Sequence, residues 1–128
     1  MTALNREASV AALAAGARCA TDVTGFGLLG HLWKLCRASG VSAVVDAAAV
    51  PVLAEARSSL AAGHVPGGSV RNLDWVRPHL RAGVRDDELL LLADAQTSGG
   101  LLVAAELDGH PVIGELVPAD GDPTITIR

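Results

Sequence analysis

Aromatic residues and lysine are almost absent from this 128-residue chain. It contains one Phe, two Trp and no Tyr, its only lysine is Lys34, and its formal net charge is −4 at pH 7. A nucleic-acid binder needs basic groups that contact phosphates and aromatic rings on which bases stack. The composition therefore argues against nucleic acid as a partner, and Leu, Val and Ala must fill the core.

Long apolar runs are missing as well. The run at residues 89–93, for example, is far shorter than the about 20 residues that span a bilayer. The N-terminal MTALNREASV has an acid and no hydrophobic signal core, so we expect neither secretion nor a membrane partner. Two cysteines without a CxxC or a His–Cys cluster indicate a reducing compartment, the cytoplasm, and no zinc site.

The residues that are present favour one compact domain. Half of them are hydrophobic (50%) and 19% are charged, which excludes a disordered segment. The mean hydropathy of +0.38 is high for a soluble domain of this size. We therefore expect another domain or subunit to cover part of the apolar surface.

Hydrophobic periodicity predicts interleaved helices and strands. The predicted helices are residues 2–15, 26–39, 52–62 and 87–93, and the predicted strands are residues 18–24, 41–46, 101–105, 111–117 and 124–127. Residues 64–72 read as a loop, and residues 73–84 stay ambiguous because Pro78 interrupts them. Asn5 or Thr2 is expected to cap the first helix, and Gly40 to end the second. Without a strict βαβ repeat, we expect an α+β or α/β sandwich whose mixed sheet is covered by helices.

Three loops combine glycine with hydroxyl or amide side chains: residues 21–27, 66–72 and 94–100. Glycine lets a backbone approach a ligand closely, and a helix N-terminus favours phosphate. Three such loops, if they converge, would form one phosphate-binding cleft. The alternative, which these features alone favour, is that the glycines permit tight packing. No loop matches the Walker A pattern, and GFGLLG at residues 25–30 fits the dinucleotide fingerprint in its letters, with Asp46 as the one acid near the required distance.

Asp22 is the acid best placed to bind a metal, because it lies three residues before the GFG step. Magnesium that bridges phosphates is usually held by one or two carboxylates together with water and phosphate oxygens. The alternative is that Asp22 caps the following turn. Asp94 allows the same two interpretations, and the structural one is favoured there.

Other side chains that can carry chemistry give weaker indications. His31 is interpreted as a hydrogen-bonded packing residue, and His64, beside PGGS, as a better ligand candidate. We expect His79 and His110 at the surface, and Cys19 and Cys36 in buried positions. Trp33 and Trp75 are expected to contact a neighbouring domain. Arg71 and Asn72 could contact a phosphate or a base, but this signal is unspecific.

Four segments, ATDVTGFGLLGHL, PGGSVRN, DAQTSGGLLVA and VIGELV, occur in this order. With them the chain resembles, over essentially its whole length, the C-terminal domain of the selenide, water dikinases (selenophosphate synthases), within the aminoimidazole ribonucleotide synthetase-like superfamily. TDVTGFGLLGH and QTSGG are specific in combination. Ala95 stands where the family usually has proline, and Ser69 where threonine is common; both differences are mild.

The resemblance implies a three-layer α/β/α domain, partly ferredoxin-like, with a mixed sheet flanked by helices. It implies a homodimer that forms selenophosphate, AMP and orthophosphate from selenide, ATP and water, with Mg²⁺ required. Asp22 would be a magnesium ligand contributed by this domain. The residues that would line the cleft facing the nucleotide-binding domain are Gly25, Gly27, Gly67, Gly68, Ser69, Asn72, Thr97, Ser98, Gly99 and Gly100.

In this family the ATP-binding residues, a catalytic lysine and the catalytic cysteine or selenocysteine lie in the N-terminal half. This chain lacks that half, and neither Cys19 nor Cys36 matches the catalytic position. The resemblance thus implies a C-terminal domain that has no catalytic residue of its own and is inactive alone. The alternative is a stand-alone module that binds a nucleotide or a partner domain. Two other enzymes of the superfamily, thiamine-monophosphate kinase and a hydrogenase-maturation protein, fit TGFGLLGH less well.

Overall fold

The structure is a computed structural model of the chain and describes residues 4–97 and 99–128. Its elements in chain order are α1 (Arg6–Ala14), β1 (Ala20–Asp22), α2 (Gly27–Ser39), β2 (Val41–Val45), a 3-10 turn (Ala47–Ala49), α3 (Ala54–Ala61), α4 (Gly67–Val76), a second 3-10 turn (Arg77–His79), β3 (Leu80–Ala82), α5 (Asp86–Leu92), β4 (Leu101–Val103), β5 (Gly114–Pro118) and β6 (Ile125–Ile127).

The described strands form two sheets. The larger is mixed and has the order β3–β6–β2–β5, with β6 parallel to both of its neighbours and β5 antiparallel to β2. The smaller is an antiparallel pair of β1 and β4. Helices accompany a mixed sheet, so the α+β class expected from the sequence is confirmed.

Helix α2 forms much of the core, because its apolar residues recur at helical spacing. Leu29, Leu32 and Cys36 are buried on one face, and Trp33 is buried beside them. They pack with residues of the larger sheet and of α4 and α5, including Val45, Leu73, Leu89, Leu92, Ile125 and Ile127. Gly40 adopts a φ of +66° and its N–H donates to the Cys36 carbonyl, which ends the helix as predicted.

Helix α4 corrects the predicted loop at residues 64–72, which is wrong from Gly67 onward. Two adjacent glycines disfavour a helix by about 1 kcal/mol each relative to alanine. However, Ser69, Leu73 and Val76 recur at helical spacing and are all buried, so packing offsets that cost. Residues 73–84 resolve into the end of α4, the second 3-10 turn, which contains Pro78, and β3.

Several elements are shorter than predicted. Residues 18–24 contribute only the three-residue β1, the strand predicted at residues 111–117 begins at Gly114, and β4 is half-buried. Asn5 occupies the N-cap position of α1 without a side-chain cap bond, and Thr2 lies outside the described residues. Over residues 4–97 and 99–128, no helix combines the length and the apolar character that a bilayer span requires.

Candidate functional site

The first and third glycine loops lie side by side because β1 and β4 pair. Asp22, the last residue of β1, is opposite Leu101, the first residue of β4. Beyond this pair, the Val23 N–H donates to the Gly100 carbonyl (2.9 Å) and the Gly99 N–H donates to the Val23 carbonyl (3.1 Å). The Gln96 N–H adds a bond to the Thr24 carbonyl (3.0 Å). The two loops therefore form one continuous backbone surface.

The start of α4 joins the same surface through two side chains. The Asn72 amide donates to the Gly25 carbonyl of the first loop (2.8 Å) and to the carbonyl of Ala93, the residue just before the third loop (3.1 Å). Ser69 is buried, and its hydroxyl donates to the Asp94 carboxylate. All three predicted loops are thus brought together. In this structure Ser69, Asn72 and Asp94 bind the loops to one another, which agrees with the structural interpretation of Asp94.

The glycines of this surface fall into two groups. A Cβ at Gly27 would lie 2.5 Å from the carbonyl carbon and oxygen of Ala93, and a Cβ at Gly99 would lie 2.2 Å from the Val23 oxygen. Neither position can accept a side chain without backbone movement. By contrast, Gly25 and Gly100 have no heavy atom within 4 Å of such a Cβ among the described residues. Gly25 and Gly100 therefore leave the backbone accessible, whereas Gly27 and Gly99 permit packing.

The second loop places a cation at the start of α4. The Arg71 guanidinium lies over Gly67 and Gly68, with its Nη1 3.4 Å from the position of a Cβ at Gly67. Thr97 is exposed on the neighbouring loop, and Ser98 lies outside the described residues. The sequence alone indicates only an unspecific contact for Arg71, whereas the structure puts its charge beside the two predicted glycines.

Asp22 is an exposed carboxylate at the end of β1. Its Oδ1 accepts a hydrogen bond from Asn5 Nδ2 at 2.7 Å. Over residues 4–97 and 99–128, no group of three or more His, Cys, Asp or Glu side chains is arranged to hold a metal ion. One accessible carboxylate fits Mg²⁺, which takes few protein ligands and completes its octahedron with water and phosphate oxygens.

His31 lies next to the first loop. Its Nε2 is 3.1 Å from the Thr24 hydroxyl, and its ring is 5.6 Å from that of Phe26. Burial lowers the pKa of His31 below its ordinary value of 6.5; Lys34 lowers it further, and the nearby Asp22 carboxylate opposes the shift. The hydrogen bond to Thr24 and the ring contact with Phe26 agree with the interpretation of His31 as a hydrogen-bonded packing residue.

An aromatic cluster extends from the first loop along α2 and α4. Phe26 contacts Trp75 (5.5 Å between ring centroids), and Trp75 meets Trp33 edge to face (5.0 Å). Phe26 and Trp75 are each just over 40% exposed, whereas Trp33 is buried. His79 stacks on Trp33 at 4.2 Å and is half-buried, so its predicted surface position holds for only part of the ring. Trp33 is accordingly a core residue, and Trp75 is the tryptophan with surface available to another domain.

The remaining candidates lie apart from these contacts. His64 is exposed just after α3, and His110 is exposed between β4 and β5. Cys36 is fully buried, Cys19 is half-buried, and both are free thiols. Burial, with a smaller contribution from Cys19, raises the pKa of Cys36 to about 11, so its thiol is protonated at neutral pH. The expectation that Cys36 is a buried filler is confirmed.

Sequence reasoning missed one residue at the site, Asn5. The sequence predicts it as a possible helix cap, but its amide donates both to Asp22 and, at 3.3 Å, to the Gly99 carbonyl. It also lines a cavity of about 760 Å³ with Gln96, Thr97 and Gly99. The only sequence signal was the residue type itself, an amide able to donate two hydrogen bonds.

The chain belongs to the family described as AIR synthase related protein, C-terminal domain, whose sequence profile matches residues 1–121. Within that class it is similar to selenide, water dikinases. The protein of this name from Porphyromonas gingivalis (strain ATCC 33277) is 49% identical over 108 residues, which are 84% of this chain and 31% of the relative.

Two further relatives have the same name and the same relationship. The protein from Bordetella bronchiseptica is 46% identical over 122 residues (95% of this chain, 34% of the relative), and that from Yersinia pseudotuberculosis is 42% identical over 134 residues (94% and 38%). The chain thus spans about a third of the length of the curated relatives that it matches.

Proposed function

We propose that this chain is the C-terminal domain of a selenide, water dikinase. The whole protein would form selenophosphate from selenide, ATP and water, releasing AMP and orthophosphate, as a cytoplasmic homodimer. Identities of 42–49% over most of the chain to three proteins with that name support the proposal. The structural observation that carries it is the accessible Asp22 carboxylate beside the open backbone of Gly25 and Gly100.

In this proposal the domain contributes one wall of a phosphate-binding cleft. The Asp22 carboxylate would be a ligand of Mg²⁺, and the bound ion supplies positive charge that offsets the charge of the phosphate oxygens. Gly25 and Gly100 would let the polyphosphate or the opposite domain approach the backbone. Asn72 and Ser69 would act indirectly, by holding the three loops together, and Arg71 would add positive charge at the start of α4.

The same proposal assigns the chemistry on selenium and ATP to an N-terminal half that precedes this domain. Cys36 is buried and protonated, which makes it a poor nucleophile. Lys34 is on α2, where its Nζ lies 4.7 Å from the centroid of the Phe26 ring. These observations support a domain that completes a site without reacting itself, and the chain alone should produce no AMP from ATP and selenide.

The decisive experiment is Asp22→Asn in the full-length protein that contains this chain. Loss of a charged ligand should lower selenide-dependent AMP formation by roughly 100- to 1,000-fold. Circular dichroism should be unchanged, because Asp22 is exposed. Asp120→Asn, an exposed acid between β5 and β6, is the matched control and should retain activity. Full activity of Asp22→Asn would remove the metal role, and AMP formation by the 128-residue chain alone would overturn the assignment of chemistry to another half.

A further inference from the structure

Asn5 occupies the N-cap position of α1 but does not cap it. Asparagine is among the best N-cap residues, and such a cap stabilises a helix by about 1 kcal/mol. Here the side chain makes no cap bond. It reaches across the domain instead, to a carboxylate 17 residues away and a carbonyl 94 residues away in sequence. Helix α1 therefore gives up its capping interaction for contacts with Asp22 and Gly99.

The chemistry of these two contacts fixes the orientation of the Asn5 amide. Asp22 Oδ1 and the Gly99 carbonyl are both acceptors, so only the Nδ2 group, with its two hydrogens, can face them. The bond to Asp22 is short, at 2.7 Å, and its acceptor is charged, which makes it stronger than a bond between neutral groups. One hydrogen of Asn5 therefore holds the carboxylate while the other holds the third loop.

The contact to Gly99 makes this arrangement rigid. Gly99 is already bonded through its N–H to the Val23 carbonyl, and Val23 directly follows Asp22. The third loop, through Gly99, thus fixes the backbone of Val23. Asn5 connects the side chain of Asp22 to this same loop. A carboxylate on a three-residue strand that ends at the surface would otherwise sample several rotamers. With Asn5 in place, Asp22 Oδ1 is engaged and its orientation is defined.

We propose that Asn5 is a positioning residue, which holds the Asp22 carboxylate in the orientation that binds a divalent cation. This inference rests on the proposed function, because it requires Asp22 to be a metal ligand. Hydrogen-bond partners that orient a ligand typically change metal affinity by 10- to 100-fold when they are removed. We expect that range for Asn5.

Two substitutions at residue 5 separate positioning from folding. Asn5→Ala removes the bonds to Asp22 and Gly99. Asn5→Ser also removes them, because the hydroxyl is too short to reach Asp22, but serine is a good N-cap and should maintain α1. Ser9→Ala is the control within the same helix, since it deletes only a local bond from the Ser9 hydroxyl to the Arg6 carbonyl (2.7 Å).

The test measures Mn²⁺ binding to the full-length protein in the presence of a non-hydrolysable ATP analogue, from the electron paramagnetic resonance signal of free Mn²⁺. This readout does not depend on turnover. Asn5→Ala and Asn5→Ser should each raise the Kd for Mn²⁺ by about 10- to 100-fold, whereas Ser9→Ala should leave it unchanged. In the Asp22→Asn background, Asn5→Ala should cause no further loss, because the two residues act through one carboxylate.

Other outcomes overturn the inference in distinguishable ways. If Asn5→Ser binds Mn²⁺ as tightly as the wild type while Asp22→Asn is impaired, Asn5 has no positioning role and the proposed metal ligand stands. If the effects of Asn5→Ala and Asp22→Asn add independently, Asn5 does not act through Asp22. If Asp22→Asn binds Mn²⁺ normally, both the ligand role of Asp22 and the role of Asn5 are refuted.

Discussion

Replacing Gly27 by alanine tests whether the motif glycines serve packing or ligand binding. Gly27 has a φ of +65°, and a left-handed conformation costs an L-residue about 1–2 kcal/mol. The new Cβ would also lie 2.5 Å from the backbone of Ala93, which is fully buried. Forcing extra volume into a packed interior costs about 1–3 kcal/mol. The two effects together predict a loss of about 2–5 kcal/mol in the free energy of unfolding.

Gly25→Ala is the matched control, two residues away in the same loop. Within the described residues no atom lies close to the new Cβ, and the φ of Gly25 is not positive. Its free energy of unfolding should change by less than about 1 kcal/mol, in either direction. If the proposed cleft is correct, this variant should keep its fold and lose affinity for nucleotide in the full-length protein.

Urea denaturation of the 128-residue chain, followed by far-ultraviolet circular dichroism, measures both variants. Small domains are usually stable by about 5–15 kcal/mol, so the predicted loss for Gly27→Ala is a large part of the total. A value for Gly27→Ala within 1 kcal/mol of the wild type would refute the packing argument. Equal destabilisation by the two substitutions would refute the distinction between them.

Two further predictions follow from the titratable groups. Burial lowers the pKa of His31, so as the pH falls the unfolded chain binds a proton at this residue before the folded chain does. The contribution of neutral His31 to stability is therefore complete above pH 6.5 and is lost as the pH falls below that value. The difference in unfolding free energy between wild type and His31→Gln should shrink from pH 7.5 to pH 5, and a constant difference would contradict the shift. Cys36, with its pKa raised to about 11, should resist a thiol reagent at pH 8 until urea is added, so that the native chain shows at most one fast thiol, that of Cys19. Fast modification of two thiols in the native chain would contradict the predicted protection of Cys36.

The elements that depend on short stretches of sequence were predicted correctly from local signals. The apolar spacing of α2 and the need for a left-handed residue at Gly40 are both properties of a short segment, and both were correct. Helix α4 was missed because Gly67 and Gly68 outweighed the spacing of Ser69, Leu73 and Val76, although that spacing is visible in the sequence. The error lay in the relative weight of two local signals.

Long-range pairing explains what the sequence did not reveal. The pairing of β1 with β4, rather than with the larger sheet, joins segments about 80 residues apart, and no local pattern encodes that choice. The motifs identified the three loops and Asp22. They did not show that Gly27 and Gly99 face backbone while Gly25 and Gly100 do not, because that distinction depends on residues from other elements. The contact of Asn5 with Asp22 was not predictable for the same reason, because it joins residues of two different elements.

The aromatic cluster also determines the optical properties of the protein. Both tryptophans and the single phenylalanine belong to it, and the chain has no tyrosine. Intrinsic fluorescence and near-ultraviolet dichroism therefore originate almost entirely from the contact between α2 and α4. Trp33 and Trp75, at 5.0 Å, are close enough for excitation to pass between them, and His79 stacks on Trp33. A change in emission would report an event beside the first glycine loop, whereas a rearrangement confined to the far strands of the sheet would go undetected.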